Sequence, residues 1–95
     1  MSVSAIPTVQ VDSETVRVTE WRFPPGTATG WHRHEMAYVV VPMTDGVLTL
    51  VDKNGARTQG RITRGVSYSR PLGTEHDVVN ETESEIVFIE VEIKG

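Results

Sequence analysis

Runs rich in β-branched and aromatic residues, which in residues 15–23 partly alternate with polar ones, recur along the chain, as is typical of β-strands. The pattern predicts strands over residues 15–23, 29–41, 47–51, 58–62, 66–70, 77–79 and 86–93. Turn-forming pairs such as Asp45-Gly46 and Asn54-Gly55 separate these runs. No stretch has the spacing of three and four that an amphipathic helix requires, so no long helix is predicted.

Short strands at regular spacing favour an all-β architecture in which two sheets face each other, as in a sandwich or a barrel. The 95 residues are enough for one domain, and no linker, repeat or low-complexity tract divides them. Residues 1–12 fit either a loose arm or an edge strand. We therefore expect a single β-domain over residues 1–95.

Composition excludes several classes of function. The chain has 13 acidic and 9 basic side chains and a net charge of −4, which disfavours binding to nucleic acid or to an anionic membrane. It has no cysteine, so disulfides, thiolate nucleophiles and cysteine-ligated metals are excluded. Residues 1–7 do not resemble a signal peptide, and the longest apolar run, residues 37–41, is too short to span a bilayer. We expect a cytoplasmic protein.

The three histidines carry the clearest chemical signal. His32 and His34 are two residues apart in a predicted strand, so their side chains should share a face at about 6.6 Å along the chain. Two imidazoles at that spacing can bind one metal ion at about 2.0–2.1 Å. His76 follows a predicted turn at the start of another strand. Taken alone, however, the His-X-His pair favours an exposed pair of strand residues over a metal site.

The spacing of residues around the histidines forms two motifs. The first consists of Gly26, five residues, His32, Arg33, His34 and, later, Gly46. The second consists of Gly65, five residues, Pro71, one residue, Gly73, two residues, His76, three residues and Asn80. Together the two motifs resemble the two conserved motifs of the cupin superfamily. The resemblance implies an antiparallel double-stranded β-helix (a jelly roll or cupin-like barrel) and a metal ion bound by His32, His34 and His76.

One position departs from the family pattern. Cupins usually supply a glutamate four or five residues after the second histidine, and this chain has Tyr38 and Val39 there. The parity of Tyr38 places it in the same cavity as the histidines, either as a catalytic phenol that orients a bound species or as an apolar filler. Glu35 has the opposite parity and is not expected to replace the missing carboxylate. Three neutral imidazoles would leave a divalent ion with its full charge and with open positions.

Three other polar residues have two possible positions. Arg22, Tyr68 and Arg70 either line the pocket, where an arginine could bind a substrate carboxylate, or lie on the surface. Met36 shares the inward parity and is expected to line the cavity, whereas Arg33 is expected to face solvent.

The resemblance supports three hypotheses of function. The first is an enzyme with one divalent ion per chain acting on a small molecule: a dioxygenase if the ion is Fe(II), or a catalyst of isomerisation or hydrolysis if it is Zn(II) or Ni(II). The second is a non-catalytic cupin that binds a small ligand or acts as a sensor, and the third is a structural barrel with relic histidines. Exposed sheet edges and a small core also predict a homodimer, formed through the N-terminal arm or an outer sheet face.

Overall fold

The computed structural model describes residues 3–95, and every regular element in that range is a β-strand. The strands are β1 (Val3–Ser4), β2 (Ile6–Asp12), β3 (Val16–Phe23), β4 (Thr27–Ala28), β5 (His32–Arg33), β6 (Tyr38–Pro42), β7 (Gly46–Val51), β8 (Arg57–Ile62), β9 (Tyr68–Arg70), β10 (Glu75–Val79) and β11 (Ile86–Ile93). The predicted all-β fold is thus confirmed. The described residues contain no helix that is long and apolar enough to cross a membrane.

The strands form two sheets. One has the order β1-β4-β10-β7-β8, with β5 also paired to β10, and the other has the order β2-β3-β11-β6-β9. All pairings are antiparallel except that of β1 with β4. β10, which carries His76, therefore lies directly beside β5, which carries His32.

The core lies between the two sheets. β11 is the central strand of its sheet, and Ile86 and Phe88 point from it into the core beside Phe23 of β3. Leu48 and Val78 pack against them from the other sheet. Gly46 lies close under Ile86, where an added Cβ would come within 2.9 Å of that side chain, so this turn requires a glycine.

The predicted continuous strand over residues 29–41 is wrong. That segment forms β5 in one sheet, leaves the strand conformation at His34, and begins β6 in the other sheet at Tyr38. Gly30 has φ of 85°, and it separates β5 from β4. The sequence pattern missed the crossing because no glycine or proline between His34 and Tyr38 marks a break in the strand.

The other predicted strands lie within about two residues of the observed ones, and residues 86–93 match β11. Of the two alternatives for the N-terminal segment, Ile6–Asp12 is an edge strand paired with β3. The first two residues of the proposed arm lie outside the described residues.

Asn80, the last residue of the second motif, has a structural role. Its buried amide donates hydrogen bonds to the carbonyl oxygens of Phe23 at 2.9 Å and Ser84 at 2.8 Å. Its side-chain oxygen accepts hydrogen bonds from the backbone N–H and the hydroxyl of Thr82. These bonds fix the loop between β10 and β11.

Candidate metal centre

Backbone pairing brings the three histidines to one place. His32 and His76 are register partners across β5 and β10. His34 follows β5 and is held by the loop that precedes β10: its backbone N–H donates to the carbonyl oxygen of Thr74 at 2.8 Å, and its carbonyl oxygen accepts from the N–H of Gly73 at 2.8 Å. Gly73 has φ of 92°, a conformation that favours glycine. The glycine of the second motif thus helps to position a histidine of the first.

The imidazole nitrogens converge. Nε2 of His34 lies 3.0 Å from Nε2 of His32 and 3.2 Å from Nε2 of His76, and the potential ligand atoms of the three rings all lie within 4.8 Å of one another. Nitrogen atoms bound to one ion at about 2.0–2.1 Å are separated by roughly 2.9–3.4 Å in octahedral or tetrahedral geometry. The two observed separations fall within this range, so the three residues can share one ion on a single face.

The ring of His32 is oriented by its other nitrogen. Nδ1 lies 2.9 Å from the carbonyl oxygen of Gly30, which can only accept a hydrogen bond. This contact requires a proton on Nδ1 and leaves the lone pair of Nε2 directed at the other two histidines. A hydrogen bond of this kind orients many metal-ligating histidines.

The protonation states also suit a metal. Burial lowers the pKa of His34 to about 4, and repulsion from His32 and His76 adds to the effect. Burial likewise lowers the pKa of His76 to about 4, with further contributions from His32 and Arg70. Both rings are therefore neutral at pH 7 and able to donate a lone pair to an ion.

Tyr38 lies inside the cavity, beside His34. Its ring is stacked on that imidazole with centroids 3.9 Å apart and an angle of 20°, and the residue is only 3% exposed. Burial raises the pKa of the phenol further above its usual value of 10, so the hydroxyl remains protonated at pH 7. The side chain of Glu35 is 76% exposed and does not take the place of the missing carboxylate.

A cavity of about 80 Å³ adjoins the histidines on the inner side. Its walls are mostly apolar or aromatic, and Thr29, Arg70 and Glu90 add polar side chains. The lining consists of Trp21, Thr29, His32, His34, Tyr38, Val40, Leu48, Leu50, Tyr68, Arg70, His76, Val78, Phe88 and Glu90. A wider hollow of about 320 Å³ lies on the outer side of His32 and His34.

The structure shows which of the three residues with two possible positions line the cavity. Tyr68 and Arg70 line the inner cavity, and the guanidinium of Arg70 lies 5.1 Å from the centre of the Tyr68 ring. Arg22 does not line it, because it is paired with Glu85 at 2.5 Å on the outer face of its sheet.

Of the two remaining side-chain predictions, the one for Met36 is wrong and the one for Arg33 agrees with the structure. Met36 lines the outer hollow and not the inner cavity, so its predicted position is wrong, because the chain has left the strand at that point. Arg33 is exposed, as predicted, and lies 3.4 Å from Glu75.

The sequence analysis missed Glu90. This residue is only 9% exposed, and its Oε1 lies 4.0 Å from Nδ1 of His34. Burial raises the pKa of Glu90 to about 7, and the neighbouring charge of Glu92 adds to the shift. A signal was present: Glu90 continues the inward parity of Ile86 and Phe88 in the clearest strand of the chain, where a charged residue is unusual.

Comparison with known proteins gives consistent matches. The Cupin domain family profile matches residues 19–92. The chain is 53% identical over 90 residues to the β-alanine degradation protein BauB of Pseudomonas aeruginosa, covering 95% of this chain and 94% of that one. Its sequence is 59% identical to that of a cupin domain from Bordetella pertussis with a known crystal structure. The two structures superimpose with a TM-score of 0.95 over 100% of this chain and 98% of that one. A protein with a double-stranded β-helix domain from Klebsiella pneumoniae shares the fold, with a TM-score of 0.77 at 20% identity and coverage of 97% and 78%.

The first prediction concerns metal content. Protein reconstituted with Fe(II), Zn(II) or Ni(II) should bind close to one ion per chain, measured by elemental analysis after desalting. His32→Ala, His34→Ala and His76→Ala should each lose most of it, because two imidazoles cannot complete the face. The exposed Asp52→Ala variant serves as the control. Wild-type metal content in all three histidine variants would contradict the assignment.

The second prediction concerns pH. In the metal-free protein, the rings of His34 and His76 should titrate near pH 4, as followed by NMR of the imidazole protons. The unfolded chain takes up these protons from about pH 6.5 downward, so this contribution to stability is lost as the pH falls from 6.5 to 4. Glu90 acts in the opposite sense between about pH 4.5 and 7, because its pKa is raised in the folded state. Titration of both rings near pH 6.5 would show that the site is solvated.

Proposed function

Because the chain belongs to the cupin family, we propose that it is a metal-dependent enzyme that acts on a short carboxylic acid bound in the inner cavity. In this proposal His32, His34 and His76 hold one divalent ion, and Arg70 binds the carboxylate of the substrate. Tyr38 orients the bound molecule through its neutral hydroxyl.

The observation that carries the proposal is the position of Arg70. Arg70 is exposed overall but lines the same cavity as the three histidines, and no carboxylate of residues 3–95 lies within ion-pair distance of its guanidinium. Burial is the main cause of both pKa shifts, but the positive charge of Arg70 adds to the lowering of the pKa of His76 and opposes the rise in the pKa of Tyr38, so it acts on the interior of the site. A planar guanidinium binds a carboxylate through two parallel hydrogen bonds, which fixes the orientation of the ligand.

The cavity limits the size of the substrate. At about 80 Å³ it accommodates a molecule of a few heavy atoms. Apolar side chains such as Val40, Leu50 and Phe88 line it and exclude water from the carbon chain of the ligand. A substrate that reaches from Arg70 to the histidines needs a carboxylate at one end and a second polar group near the other.

The relative from Pseudomonas supports this substrate class. Its name assigns it to the degradation of β-alanine, a three-carbon acid with an amine on carbon three. We extend the class to three-carbon acids that carry an amine, a thiol or an oxo group at that position. The identity is high enough, at 53% over nearly the whole chain, to make a related substrate the first one to test.

A divalent ion at the histidines would supply Lewis acidity and, if it is Fe(II), the ability to activate dioxygen. In a dioxygenase both atoms of O₂ enter the substrate, so O₂ is the oxidant and no further reductant is needed. The protein contributes the other requirements: Arg70 fixes one end of the substrate, Tyr38 provides a hydroxyl that stays protonated, and the apolar walls exclude bulk water. We therefore propose dioxygenation as the reaction of the Fe(II) form.

The experiment measures oxygen consumption and product formation with the Fe(II)-loaded protein. The panel consists of three-carbon acids bearing an amine, a thiol or an oxo group, each paired with its carboxamide. We expect one acid to gain two oxygen atoms, and its carboxamide to be a poor substrate. Arg70→Gln should raise KM for the acid by about 10–100-fold, since a charge-assisted hydrogen bond contributes about 1.5–3 kcal/mol. Arg64→Gln, a change in an exposed loop, should have no effect.

The outcomes separate the hypotheses. An unchanged KM in Arg70→Gln would show that Arg70 does not bind the carboxylate. Tyr38→Phe should lower kcat and leave metal affinity unchanged, and loss of the metal would instead make Tyr38 a ligand. Binding of an acid without turnover by any metal form would favour the ligand-binding or sensor alternative.

A further inference from the structure

Glu90 is a carboxylate in an otherwise apolar row. It points inward from β11, on the same side as Ile86 and Phe88, and is almost fully buried. Burying a carboxylate costs free energy unless it gains a partner, and the nearest basic atom is Nδ1 of His34 at 4.0 Å. A residue with no role would be less costly as an aliphatic side chain at this position.

Glu90 lies beside the Nδ1 edge of the His34 ring. Nε2 of that ring points to the other histidines, and Nδ1, on the opposite side, points to Glu90. The distance of 4.0 Å is too long for a hydrogen bond. Tyr38 stacks on the face of the ring and leaves its edges free, so a shift of about 1 Å within the ring plane would close the gap.

A metal ion would provide the reason for that shift. When Nε2 of His34 donates its lone pair to an ion, Nδ1 must carry the proton and becomes a hydrogen-bond donor aimed at Glu90. His32 already has such an arrangement, with the carbonyl oxygen of Gly30 as the acceptor. Glu90 would also place a negative charge near an ion that three neutral imidazoles leave fully charged.

We propose that Glu90 is a positioning residue of the metal centre: it accepts a hydrogen bond from Nδ1–H of His34 and supplies, from the opposite sheet, the negative charge that Tyr38 does not. It is not a direct ligand in this arrangement, because the imidazole of His34 lies between it and the converging Nε2 atoms. The proposal rests on metal binding by the histidines, and not on Arg70 or on the reaction.

The test compares Glu90→Gln with wild type and with Glu92→Gln, the next inward carboxylate of β11, which is paired with Arg17 at 3.6 Å. Zn(II) affinity is measured by competition with a chelating dye, and the Co(II) absorption spectrum reports the number of ligands. We expect Glu90→Gln to weaken Zn(II) binding by about 10–100-fold with an unchanged Co(II) spectrum. Glu92→Gln should remain within about twofold of wild type.

Each other outcome overturns the proposal in a distinct way. Zn(II) affinity within about twofold of wild type in Glu90→Gln would show that Glu90 is only a buried acid. A changed Co(II) spectrum would make Glu90 a direct ligand. If Glu90→Gln does not fold, NMR of the Zn(II)-loaded wild type decides, because the proposal requires an Nδ1 proton on His34 that is protected from exchange with water. Failure of the wild type to bind any ion would refute the proposed function itself.

Discussion

The convergence of three imidazole nitrogens is the constraint on which the rest of the site depends. Nε2 of His34 lies 3.0 and 3.2 Å from the two others, a separation at which charged rings would repel strongly. Burial favours the neutral form of His34 and His76, and the backbone carbonyl of Gly30 orients the third ring. The fold therefore holds three lone pairs within reach of one point, an arrangement that a divalent cation stabilises better than water does.

The absence of a fourth ligand from the first motif changes the electrostatics of the site. Tyr38 occupies the position of the usual glutamate but remains a protonated phenol stacked on His34, so it adds no charge. The acidic and basic groups that border the cavity come from other strands: Glu90 from β11 and Arg70 from β9. In the proposed function, the ion would have a carboxylate behind one of its ligands and a guanidinium on the cavity wall, which would suit the binding of a small acid while leaving coordination positions open.

Much of this arrangement follows from the sequence. The strand alternation and the two glycine-rich motifs predict the all-β fold, and the histidine spacing predicts the three residues that the structure brings together. The strand assumed over residues 29–41 fails because the chain crosses between sheets after His34, and hydrophobic alternation does not record a change of sheet. Tyr38 lies in the cavity, but the continuous parity that suggested it does not exist.

The contact between Glu90 and His34 could not be predicted from the sequence, for a different reason. Its inward parity was visible in β11, but its proximity to His34 depends on how the two sheets pack, and a period of two carries no such information. The outer face of the sheet β2-β3-β11-β6-β9 is similar: its apolar residues are evident in the sequence, but only the register shows that Val41, Ile89 and Val91 share the face opposite the core. The sequence therefore predicts the local structure but not which residues from distant parts of the chain come into contact.

The most direct test of the three-histidine metal centre is an anomalous diffraction map of crystals grown with Zn(II), with data collected on both sides of the metal absorption edge. We expect one strong peak per chain at about 2.0–2.1 Å from Nε2 of His32, His34 and His76, with the oxygen atoms of Tyr38 and Glu90 outside bonding distance. A peak at another set of residues, or none at the histidines despite stoichiometric metal in the crystal, would contradict it.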